Sequence, residues 1–210
     1  MRCLRAKARL PRAFVCLRDR FRTSQVVTLL AALALAAPAA RAQYAQRRDG
    51  FWIGFGLGYG SANVSCDQCS NGPRVGGYTG FLKLGGSPSR NVLIGASLNG
   101  WTRERLGVNE TMGNVTASLY YYPVTTSGFF VTGGLGFSGY NINSSPEVNG
   151  SGWGFTAGAG YDVRIGRNIS LTPVVNYIYG ALGDFDVPGL GTRTGWKQNV
   201  IDVGLGLTFH

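Results

Sequence analysis

The sequence predicts an all-β chain, an eight-stranded antiparallel up-and-down transmembrane β-barrel with short periplasmic turns and longer extracellular loops. Three observations carry this reading. Large apolar residues alternate with Gly or small polar residues at a period of two, no segment longer than a turn has helical periodicity, and the connections alternate between short and long. The 210 residues include 33 Gly, and 44% are hydrophobic against 14% charged, a composition that argues for a folded chain.

The N-terminus is read first because it distorts the composition. Nine of the 20 basic residues and one of the ten acids fall within residues 1–42, so residues 43–210 hold eleven bases against nine acids. The basic balance therefore belongs to the leader, and nucleic acid is excluded as a partner suggested by charge. Val26 to Ala37 is an apolar run of 12 residues, too short for a membrane helix and suited to the core of a secretory signal. Small residues at Ala40 and Ala42 put cleavage after Ala42. Residues 1–42 are thus expected to be a cleaved signal peptide, 43–49 a short N-terminal segment and 50–210 the barrel. The basic region is long for a signal, and initiation at a downstream codon would explain it.

The first strand opens the mature chain with Phe51, Ile53, Phe55, Leu57 and Tyr59 on one face and Gly54, Gly56, Gly58 and Gly60 on the other. Six further segments are read near 75–85, 91–102, 111–122, 129–140, 152–165 and 168–181. The eighth alternates Ile201, Val203, Leu205, Leu207 and Phe209 with Asp202, Gly204, Gly206 and Thr208. Short connections fall at 87–90, 123–127 and 166–168; longer polar ones fall at 62–74, 103–110, 142–151 and 182–195. An even strand count places both chain ends on the short-turn side. Two aromatic belts match the two membrane interfaces: Phe51, Tyr121, Phe129 and Phe209 at the short-turn end, and Tyr59, Trp153 and Tyr179 at the loop end.

A soluble secreted barrel would share the alternation but would turn its apolar face inward. The other face decides between them. It is mostly Gly, Ser, Thr and Asn, whereas a water-exposed face carries charge at a quarter or more of its positions. Small polar residues suit the narrow lumen of eight strands.

The Gly-rich first strand FWIGFGLGYG, the closing IDVGLGLTF, the strand count and the signal together resemble the eight-stranded outer-membrane β-barrel families: the OmpA transmembrane domain, the OmpX/Ail group and porin-family barrel proteins. The resemblance covers residues 50–210. It implies residence in the outer membrane of a Gram-negative bacterium, with lipids and lipopolysaccharide as surroundings. It also implies an assembly signal at Leu205, Leu207 and Phe209 read by the barrel-assembly machinery, although His210 follows the terminal aromatic. No OmpA-like peptidoglycan-binding domain is expected after the eighth strand.

Residues that could carry chemistry are few. Gly134 to Gly139 has dinucleotide-binding spacing, but the alternation runs through it into a loop rather than a helix. Cys66 and Cys69 form the one Cys pair of the mature chain. A redox pair or half a metal site would need a helix N-terminus or further ligands, so a small loop disulfide is expected in an oxidising compartment. Asp184 and Asp186 could touch a cation but suit solvent better. No cofactor and no metal site is expected. Lys83, Asp162, Arg164 and Asp202 point into the lumen by parity, joined by Trp52, Asn99, Tyr120, Phe130 and Asn176. Two bases and two acids are expected to neutralise one another in a charge network. This network is expected to plug the barrel; the alternative is the lining of a narrow porin-like channel for small solutes. An enzyme acting on lipids is a distant third reading, since the one mature histidine, His210, is placed at a frayed end and no G-x-S-x-G motif is present. The expected role is therefore structural or surface-interacting, with an extracellular ligand of unspecified class.

Overall fold

In the computed structural model, residues 48–67, 72–143, 148–187 and 191–210 are described. Their strands are β1 (Gly50–Ser65), β2 (Val75–Ser89), β3 (Val92–Arg105), β4 (Val108–Tyr121), β5 (Phe129–Asn143), β6 (Val148–Tyr161), β7 (Val163–Arg164), β8 (Ile169–Val187) and β9 (Gly191–Phe209). All pairings are antiparallel; most join sequence neighbours, and β1 pairs with β9 while β6 pairs with β8, so the sheet closes. Segments β6 and β7 are two parts of one stave, giving an eight-stranded barrel.

The break in that stave has a local cause. Carrying the flanking pairs Gly160↔Val174 and Val163↔Leu171 through the gap sets Tyr161 opposite Pro173. Proline has no N–H to give the ladder, so pairing lapses there. On its other side Asp162 continues the β5 register, its N–H bonding to the Gly128 carbonyl at 2.9 Å. The continuous strand read over 152–165 is therefore interrupted at Asp162, while the unchanged register keeps its carboxylate on the lumen side.

The strands run 14 to 19 residues apart from β7, more than the sequence pattern indicates. A membrane crossing needs about 9–11 residues, and the excess lies on the loop side except in β2, which runs on to Ser89 and shortens the turn read at 87–90. Polarity above the membrane interrupts the apolar alternation without interrupting backbone pairing. The long connection read at 103–110 is instead a two-residue turn: Arg103↔Glu110, Glu104↔Asn109 and Arg105↔Val108 all pair. Leu106 (φ 53°) and Gly107 (φ 77°) both have positive φ, the geometry that matches strand twist in tight hairpins. Likewise most of the loop read at 182–195 is ladder, with Val187↔Gly191 the outermost pair.

Outward residues form the apolar wall. Leu57, Leu98 and Leu205 are 77%, 48% and 49% exposed in the isolated chain, where lipid would cover them. The belts also face out. Phe209 stacks on Phe55 at 6.1 Å near the turns; Tyr59 meets Tyr78 edge to face at 6.0 Å, and Trp153 meets Tyr179 at 5.7 Å, near the loops. Leu205 and Leu207 continue the Phe209 face.

Candidate functional site

The lumen is the site the fold builds, and it is filled in tiers. At the periplasmic end Trp52, Leu93, Tyr120, Tyr122, Phe130 and Val174 form a buried apolar cluster. At the loop end a second one holds Ala62, Trp101, Met112, Tyr140, Ile178, Leu182 and Val200. Small residues between large ones make this possible, since Gly160 sits against the Phe130 ring and Gly206 against Phe81.

Asp162 organises the periplasmic tier. It is fully buried; Tyr122 Oη donates to its Oδ2 at 2.7 Å and Thr172 Oγ1 to its Oδ1 at 2.7 Å. His210 Nε2 lies 3.5 Å from Oδ2, an ion-pair distance rather than a well-formed hydrogen bond. His210 is therefore tucked in, contrary to the frayed end read from sequence, and its backbone N–H bonds to the Asn168 carbonyl at 3.0 Å. Burial holds its imidazole below the usual histidine range, against the pull of Asp162. Arg48 closes this tier from the N-terminal segment. Its guanidinium lies 3.7 Å over the Tyr122 ring and donates to the carbonyls of Thr125 (3.2 Å) and Ser127 (2.5 Å). Arg164 is buried at the same end, and it and Arg48 both sense the Asp162 charge.

Of the four lumen charges, Lys83 and Asp202 have no oppositely charged side chain at ion-pair distance among the described residues, whereas Arg164 lies in the field of Asp162. Lys83 is buried, yet no carboxylate among the described residues lies within ion-pair distance of it. Four rings surround its Nζ instead: Phe130 at 5.0 Å, Tyr120 at 5.2 Å, and Trp52 and Phe81 each at 5.9 Å. Aromatic faces attract a desolvated ammonium, which is why the lysine is tolerated there. Asp202 sits two tiers up, cross-strand from Asn176 and away from any described cation. Sequence gave the direction of these side chains but not their heights, because strand tilt sets the heights.

Above Lys83 a polar belt crosses the lumen. Gln198 Nε2 of β9 donates to Ser138 Oγ of β5 at 2.7 Å, and Ser138 Oγ donates to Asn114 Oδ1 at 2.7 Å. Asn114 Nδ2 donates in turn to the Tyr179 carbonyl at 3.0 Å. Strands β5 and β9 are not neighbours in the sheet, so this bond ties one wall to another. Around the rim, Tyr140 Oη donates to Glu110 at 2.7 Å, and Arg103 pairs with Glu110 at 3.0 Å. Cys66 is buried at the end of β1; Cys69, its expected partner, lies outside the described residues.

The residues missed in sequence are Arg48, Tyr122, Thr172, Gln198 and His210. Parity carries the signal for most of them: His210 continues Asp202, Gly204, Gly206 and Thr208 inward by one more step.

A closed all-strand wall with an apolar exterior and a polar, side-chain-filled interior defines an outer-membrane β-barrel. The chain matches the family described as outer membrane protein beta-barrel domain over residues 27–209 and belongs to it. It is accordingly a protein of the bacterial outer membrane. No curated protein matches it by sequence. Among solved structures it is similar to the Neisserial surface protein NspA, with 14% identity, TM-score 0.51 and coverage of 77% of this chain and 97% of that one. It is also similar to Ail, the attachment invasion locus protein of Yersinia pestis, solved in complex with the heparin analogue sucrose octasulfate. Identity there is 16%, the TM-score 0.50, and coverage 77% of this chain and 99% of that one. At these identities the likeness is one of fold.

Proposed function

We propose that the protein is a closed outer-membrane barrel with a structural and surface-interacting role, its lumen plugged by its own side chains. The observation that carries this is the hydrogen bond from Gln198 to Ser138 across the lumen, bracketed by the Trp52–Phe130 tier below and the Trp101–Tyr140 tier above. Eight strands leave an interior just wide enough for side chains to fill. Lipopolysaccharide and outer-membrane lipids surround the apolar wall, and the barrel-assembly machinery inserts it.

The hairpins are the part presented outward. A sulfated-sugar ligand of the kind seen with Ail would meet one exposed, unpaired cation on the described rim, Arg105 at the end of β3. Arg74 is spent on Ser61 and Asn199, Arg103 on Glu110, and Lys197 lies 3.8 Å from Asp67. Catalysis lies outside this reading, because His210 is buried in the plug beside Asp162, where no lipid substrate reaches it. A Cys66–Cys69 disulfide would cap the first loop, and thiol titration with and without reductant measures it.

Planar-bilayer conductance of the refolded barrel tests the plug. The expected result is no steady current from wild type. Steady current from wild type would favour the narrow-channel function instead.

A further inference from the structure

Between the periplasmic tier and the Gln198 tie lies a small cavity of about 20 Å³. A cavity needs about 10–15 Å³ to take one water-sized occupant, so this one has room for a single small particle. Its polar walls include Lys83, Ser97, Asn99, Ser118 and Thr156, and no carboxylate lines it. Ser97 is spent on Tyr120 at 2.6 Å and Ser118 on Thr116 at 2.9 Å. Asn99 Nδ2 and Thr156 Oγ1 have no hydrogen-bond partner among the described residues, and their residues are 6% and 7% exposed. Lys83, 4% exposed, makes no hydrogen bond or ion pair among the described residues, only its ring contacts.

Charge points the same way. Among the described side chains, three fixed cations are buried in the barrel (Arg48, Lys83 and Arg164) against two carboxylates, Asp162 and Asp202. Lys83 feels the Asp162 charge only at a distance, since Tyr122, Thr172 and His210 occupy that carboxylate and no carboxylate stands within ion-pair reach of Lys83 among the described residues. A buried charge is costly unless paired, and a buried amide donor is costly unless bonded. One occupant that accepts from both Lys83 Nζ and Asn99 Nδ2 would relieve both costs.

We infer that this cavity is a binding site for one monatomic anion of chloride size, held by Lys83, Asn99 and the Thr156 hydroxyl. The inference rests on the closed lumen proposed above. Water fits the volume but brings no charge, and it is the competing occupant.

The test uses the refolded full barrel. Crystals grown in bromide should show one anomalous peak within hydrogen-bonding reach of Lys83 and Asn99. At fixed ionic strength, the denaturation midpoint should climb as bromide or chloride replaces gluconate, since a ligand of the folded state stabilises it by mass action. Lys83→Met should abolish that dependence while keeping the heat-modifiable migration of a folded barrel. If Lys83→Met does not fold, Asn99→Leu should weaken the same dependence, and the wild-type bromide peak stands by itself. No peak together with an anion-independent midpoint overturns the site in favour of water. That result from a barrel carrying no current would leave the plug intact, whereas a conducting barrel would sink the plug first.

Discussion

Tyr122, one residue past the end of β4, donates its hydroxyl to Asp162 in the break between β6 and β7, 2.7 Å away. The bond joins the turn at 123–128 to a stave two strands on, and it satisfies a carboxylate that would otherwise be buried and short of donors. Tyr122→Phe should cost about 1.5–3 kcal/mol, the range for a hydrogen bond to a charged group. Asp162→Ala should cost about 3–5 kcal/mol, because it also strands the cationic groups around it. Combined, the two should cost less than their sum, which a double-mutant cycle in urea would measure. Full additivity would mean that the contact carries no coupling.

The direction of the wall can be tested from outside. Leu57, Leu98 and Leu205 face lipid near the middle of the apolar band. Arg at any of them should cost about 2–4 kcal/mol of folding free energy in bilayers, the depth-dependent penalty of a cation at the midplane. Folding yield in lipid vesicles reads this directly. Wild-type yields for all three would reverse the inside and outside of the barrel.

Inward or outward direction was legible in the sequence because a strand has a period of two, and Trp52, Lys83 and Asp202 follow from it. The lengths of the strands were not. Hydrophobic alternation reports only the part of a hairpin inside the membrane, so Val108 to Glu110 and the 192–193 stretch read as loop although their backbones pair. Partners within the lumen were not legible either. Lys83 and Asp162 were plausible mates by charge, but strand tilt sets Asp162 beside Tyr122 and leaves Lys83 among rings.

Inward and outward glycines should respond differently to a methyl group. A Cβ on Gly95 would stand 2.0 Å from the Leu84 carbonyl oxygen, and one on its cross-strand partner Gly85 would stand 2.1 Å from that of Ile94. Backbone cannot yield as a side chain tip can, so Gly95→Ala should cost about 1–3 kcal/mol, the range for overpacking. At Gly133 a Cβ meets nothing within 4 Å. Gly133→Ala should stay within about 0.5 kcal/mol, as surface substitutions do. Equal effects at the two positions in urea titrations would show that the close strand approach at Gly85 and Gly95 does not constrain the fold.

Leu106 holds the left-handed backbone of the β3–β4 turn with its side chain 94% exposed, so packing offers it almost nothing in return. Bulky side chains are strained at positive φ, whereas Asn tolerates it and Asn-Gly is the favoured pair for this turn. Leu106→Asn should therefore stabilise the barrel by about 1 kcal/mol, the lower end of the left-handed penalty for an L-residue. Leu106→Val should do the reverse, because branching at Cβ crowds that backbone further. Denaturation midpoints of the two variants should fall on opposite sides of wild type. A midpoint for Leu106→Asn below wild type would mean that the leucine makes a contact outside the barrel, at the surface from which this turn projects.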